Sequence, residues 1–134
     1  MPPKESKPTK SLEQIVEEVG LYPIEAYEFV QEGLQYTVQK IHAQMTDPKA
    51  SRHVSGRALS SGLRDFALMQ WGLLARTVLR RWNIHTTQDF GRIVFALVAN
   101  GWMSKTDEDD ITDFRNVFDF ETAFHEGYRI ECKP

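Results

Sequence analysis

Five apolar residues, Phe90, Ile93, Val94, Leu97 and Val98, recur within the stretch 86–101 at the spacing of one helix face, and no other segment constrains the fold as tightly. Thr86 or Thr87 can cap the first amides, Asp89 lies near the positive end of the helix dipole, and Asn100-Gly101 supplies a left-handed stop. Two short apolar runs follow, Trp102-Met103 and Phe114-Val117-Phe118, on either side of an acidic turn from Asp107 to Asp110. Paired apolar ends around a polar turn fit a β-hairpin over 102–118, and equally two irregular turns. A helix closed by glycine and followed by a hairpin has the outline of a winged helix, and equally that of an ordinary helix and hairpin.

The rest of the chain reads as helices. Ser11 with Gln14 forms a capping box ahead of an apolar stripe, Leu12, Ile15, Val16 and Val19, which Gly20 ends. Pro23 opens a second helix carrying Tyr27, Val30, Leu34, Val38 and Ile41, with Glu25, Glu28 and Glu32 in its first half and Lys40 and His42 in its last turn. Gly33 in its middle is unfavourable for a helix, which a close packing contact explains. Asp47-Pro48 and Ser55-Gly56 mark a loop. A third helix opens between Gly56 and Ser61 and runs to about Trp82. It starts as a stripe of Leu59, Leu63, Phe66 and Ala67 and becomes apolar nearly all round at Leu68, Met69, Trp71, Leu73 and Leu74. Such a helix is expected at the centre, with 64–79 its most buried part, Leu63, Phe66, Leu74 and Val94 in the core, and a bend at Gly72. Phe120, Ala123 and Phe124 suggest a last short helix capped by Asp119. The expected fold is mainly α with a minor β part: about five helices around a buried central one, with the hairpin in a winged-helix-like arrangement.

At 134 residues the chain has the length of one domain, expected over 11–130. Residues 1–10 hold three prolines and three lysines without an apolar run, so they read as a disordered tail and not as a secretory signal. The longest apolar stretch, 66–79, contains Gln70 and Arg76 and is too short to span a bilayer. A single cysteine, Cys132, has no partner in its own chain, which fits a reducing cytoplasm.

Charge is distributed unevenly. Residues 52–92 carry seven basic and two acidic side chains, while 93–134 carry four and nine. A basic middle is either neutralised by pairing across the fold, the commoner outcome, or left as a surface for a partner.

Several motifs are excluded on spacing. Asp89-Phe90-Gly91 matches a kinase tripeptide in letters only, with no glycine-rich loop or catalytic loop to accompany it. The acidic turn lacks the glycine and the terminal glutamate of a calcium loop. The histidines are scattered without ligand spacing, and no serine elbow or paired cysteine occurs, so no catalytic residue, metal or cofactor is expected. His53, beside Ser55-Gly56, is the one candidate pocket residue. Asp-Phe occurs at 65, 89, 113 and 119, yet the registers share nothing else. It reads as helix-starting Asp followed by a core Phe, not as a repeat.

At His53-Val54-Ser55-Gly56, Gly62-Leu63-Arg64-Asp65, the run from Thr87 to Phe95, Asp113-Phe114 and Phe118-Asp119-Phe120, the chain resembles a small protein family of planctomycetes and verrucomicrobia. The resemblance extends from Leu12 to Tyr128. It implies a bacterial source and a cytoplasmic location, and it carries no activity, ligand or site residue.

Two functions follow from the residues. A non-catalytic protein interaction module would use Arg76, Arg80, Arg81 and Arg92 with Asp107, Asp109 and Asp110 as its partner surface, facing another protein or a second copy. The alternative is a winged-helix-like nucleic-acid-binding regulator, with 86–100 as recognition helix and 103–117 as wing. Charge argues against it: the helix offers only Arg92, and an acidic wing repels phosphate.

Overall fold

The computed structural model describes residues 9–44, 54–105 and 109–124. They form five α-helices: α1 (Leu12–Val19), α2 (Ile24–Gln44), α3 (Gly56–Trp71), α4 (Ala75–Arg81) and α5 (Thr87–Ala99). Two 3-10 turns, Gly72–Leu74 and Ile111–Phe114, join or flank them. Residues 120–124 add a helical turn, where Asp119 accepts from the Thr122 amide at 3.2 Å. No strand occurs among the described residues.

Local chemistry sets the helix ends. The Ser11 hydroxyl accepts from the Gln14 amide while the Gln14 side chain accepts from the Ser11 amide, and Gly20 closes α1 at φ 71°. α2 and α3 then make the largest helix–helix contact of the fold. They approach where side chains are smallest: Gly33 faces Leu63 and Phe66, and Gly62 faces Thr37. The buried Thr37 hydroxyl turns back onto the Gly33 carbonyl at 2.7 Å, so the crossing is closed without an unsatisfied polar group. The close contact expected for Gly33 is present.

The third helix differs from its sequence expectation. Gly72 adopts φ 54° and ψ −125°, a conformation that side chains disfavour, and it divides the segment into α3, a 3-10 turn and α4. In an unbroken helix Leu74 would lie eleven residues past Leu63, about three turns on, and would stack on the same buried face. The break shifts the register, so Ala75 and Leu79 take the inward positions instead. Met69, Leu73 and Leu74 are left 61%, 66% and 63% exposed. The expectations that 64–79 is the most buried segment and that Leu74 is core are therefore corrected, while Leu63, Phe66 and Val94 are core as expected.

α5 occupies the interior. Phe90, Ile93, Val94 and Leu97 are buried among α2, α1, α3 and the 3-10 turn at 111–114. The turn at 111–114 stands where the hairpin was expected. Asp110 and Asp113 form a reciprocal cap, and Phe114 drives inward against Gly56 and Gly91, where an added Cβ would come within 2.9 Å of its side chain. The Thr87 hydroxyl donates to the Phe114 carbonyl at 2.6 Å and accepts from the Val117 amide at 3.2 Å, fastening the segment to α5. A hairpin would need an alternating pattern and free ladder edges; here a cap motif and one inserted ring set the path.

At the other end of α5, the Thr9 amide donates to the Asn100 carbonyl and the Trp102 indole donates to the Lys10 carbonyl at 2.7 Å. Thr9 and Lys10 thus pack on the fold, whereas residues 1–8 of the expected tail lie outside the described residues.

Candidate functional site

The helix break exposes apolar and basic side chains together. On α4, the side chains of Arg76 and Arg80 line a depression of about 320 Å³ with Leu73, Thr77, Glu121 and Phe124. Arg81 is exposed on the same helix, and both Arg80 and Arg81 sit in its last turn, where the dipole favours cations. None of the three arginines has an ion pair with a described residue.

Charge pairing in the basic middle is largely internal to it. Arg64 pairs with Asp65 at 3.0 Å and Arg92 with Asp89 at 2.6 Å, and Lys40 adds a second cation to Asp65 at 3.0 Å. Both acidic residues of that segment are thereby used. Arg57, Arg76, Arg80 and Arg81 form no ion pair with a described residue, and Glu121 is the acidic side chain that lines the depression of Arg76 and Arg80.

Trp71, just before the break, and Trp82, just after α4, line a second depression of about 230 Å³ with Phe29, Phe66 and Gln70. Its rim carries Glu25, Glu28 and Glu32, which the α2 repeat places on one face. Phe29 lies 5.4 Å from Trp71 and 5.8 Å from Trp82, and the two indoles meet edge to face at 5.4 Å. These rings touch one another, so they form a wall whose outer faces, not an interior, are offered to a ligand.

The remaining residues expected in the partner surface lie elsewhere. Arg92 lines a separate depression with Gln88, Ile111, Thr112 and Arg115. Asp109 is buried and has an interaction within the fold, so it is no part of an open acidic face. Asp110 is exposed but engaged as a cap; the Thr112 amide holds its carboxyl below the usual range. Asp107 and His53 lie outside the described residues.

One polar cluster was not foreseen from sequence. The Asp89 carboxylate accepts from the Tyr22 hydroxyl at 2.5 Å, the His85 amide at 2.8 Å, the Thr86 amide at 3.1 Å and the Arg92 guanidinium at 2.6 Å. Burial works against its charge, yet these donors outweigh it and hold the carboxyl below its ordinary value. Burial and the adjoining carboxylate push the Tyr22 phenol well above its own. Near neutral pH Asp89 stays ionised and Tyr22 protonated, so the pair is a structural staple and is not tuned for proton transfer. Among the described residues no three His, Cys, Asp or Glu gather to hold a metal ion, and no helix is long and apolar enough to cross a membrane.

No family model, curated protein or solved structure matches the chain.

Proposed function

We propose that this chain is a protein interaction module that docks through the face at the α3–α4 break, as a cytoplasmic member of the planctomycete and verrucomicrobial family it resembles. One observation carries the reading: Met69, Leu73 and Leu74 are exposed around the break, and Leu73 shares a depression with Arg76 and Arg80, which form no ion pair with a described residue. Three of the five exposed large hydrophobic residues among the described residues, Met69, Leu73 and Leu74, fall within positions 69–74. Exposed leucines next to uncompensated arginines lower their free energy when an apolar surface with carboxylates covers them.

The nucleic-acid alternative is the less favoured reading. The segment described at 109–118 holds a capped 3-10 turn rather than a wing, and Arg92, the basic residue on the outward side of α5, is already paired with Asp89.

The test is photo-crosslinking from Leu73 in the native cell, with Glu17 on α1 as the control position. A discrete protein adduct formed from position 73, absent from position 17 and lost on Arg76→Glu with Arg80→Glu, is expected. Equal labelling from both positions, or adducts to nucleic acid alone, would refute the reading.

A further inference from the structure

We infer that the partner is a second copy of this chain, joined two-fold, with Leu73, Arg76 and Arg80 of each copy seated on the glutamate-rimmed Trp71–Trp82 wall of the other. The inference rests on the docking role proposed for the α3–α4 break. It adds the identity of the occupant.

Charge complementarity supports it first. Glu25, Glu28 and Glu32 form no ion pair with a described residue, and neither do Arg76, Arg80 and Arg81, although Glu121 lines the depression of Arg76 and Arg80. One chain therefore carries both halves of a match that it does not make internally. Position supports it second. Trp71 lines the acidic depression and Leu73 the basic one, with Gly72 between them, so the two halves adjoin at the break. A two-fold axis passing near the break brings each basic half onto the acidic half of the other copy, and the match is made twice. This is the condition for a closed, isologous interface. Side-chain chemistry agrees: arginine guanidinium groups pair with carboxylates and lie flat on indole faces, while Leu73 and Leu74 cover apolar ring surface.

A foreign partner would have to carry both complements in the same arrangement. An anionic bilayer would satisfy the arginines and leucines but would be repelled by the glutamate rim beside them.

Sedimentation of the full-length protein, from low to high micromolar concentration and at two salt concentrations, tests the inference. The expected result is a monomer–dimer equilibrium that weakens with salt. Arg76→Glu with Arg80→Glu in one variant, and Glu28→Lys with Glu32→Lys in another, should each weaken dimerisation by about tenfold or more. Mixing the two variants should restore it, since both contacts in the mixed dimer then join opposite charges. Arg57→Glu, on the first turn of α3, should leave it unchanged, and unaltered circular dichroism and melting curves establish that each variant folds. A wild type that stays monomeric throughout, a mixture that fails to recover, or a monomer that binds anionic vesicles through these arginines would overturn the inference. If the protein is monomeric but Leu73 crosslinks to a different protein in cells, the second copy is refuted and the docking face stands. Without either dimer or specific adduct, both fall.

Discussion

Replacing Asp89 by Asn changes little in shape and removes the charge on which four donors converge. The carboxylate side chain is only 10% exposed, and its contacts to Tyr22, His85, Thr86 and Arg92 span 2.5 to 3.1 Å. Hydrogen bonds to a charged acceptor contribute about 1.5 to 3 kcal/mol each and neutral ones about 0.5 to 1.5. Arg92 is 53% exposed, so its share is that of a surface pair, at most about 1 kcal/mol. The Tyr22 hydroxyl and the two amides carry most of the loss, and Asp89→Asn should cost about 2 to 4 kcal/mol at pH 7. Urea unfolding of the wild type and variant measures it. The folded pKa is depressed, so this stabilisation is fully present above the unfolded aspartate value of about 3.9 and is lost as pH falls through the lower folded value. The gap between wild type and variant should therefore be flat from pH 7 to about 5 and close on further acidification. Tyr22→Phe should be non-additive with Asp89→Asn, because both remove the same contact. A loss under about half a kcal/mol at pH 7, or a gap that persists in acid, would refute the staple.

Three further outcomes follow from packing. Leu74→Ala should cost less than about 1 kcal/mol, whereas Leu63→Ala at the α2–α3 crossing should cost about 2 to 5, both read by urea unfolding. Gly91→Ala places a methyl 2.9 Å from the Phe114 Cβ and should cost about 1 to 3 kcal/mol, with increased hydrogen exchange at the Val117 amide as the 3-10 turn loosens. The buried Tyr27 hydroxyl has no hydrogen-bond partner among the described residues, so Tyr27→Phe should leave the melting temperature unchanged or raise it.

What the sequence made legible was local. Ser11-Gln14, Thr86-Asp89 and Asp119 mark helix starts because caps act within three residues. The Asp-Phe pairs also read correctly in part: Phe66, Phe90, Phe114 and Phe120 are all buried, and Asp89 and Asp113 both complete caps, though Asp65 instead pairs with Lys40 and Arg64. Gly72 was visible as a bend, but its consequence was not. A bend and a register break have the same letters, and only the break turns Leu74 outward. Hairpin and irregular turn read alike in sequence because Phe114 supplies an apolar position to either; the glycines that receive it lie 58 and 23 residues away. Arg76 and Arg80 were legible as a basic face, since four residues separate neighbours on a helix. The acidic groove was partly legible: Glu25, Glu28 and Glu32 share a face by spacing, yet Trp82 reaches that groove only through the fold. Tyr22 and Asp89, 67 residues apart, left no trace in sequence.

The central claim is that the α3–α4 break is the face through which this chain engages protein. Methyl-labelled Met69, Leu73 and Leu74 report on it most directly, with buried Leu63 and Leu97 as internal references, while the concentration of the protein or of its crosslinked partner is raised. The three exposed residues should shift or broaden together with the Trp71 and Trp82 indole signals, in a salt-sensitive way, and the references should hold still. Invariant signals at the break, with changes confined to the depression beside Arg92 or to α1, would contradict the claim.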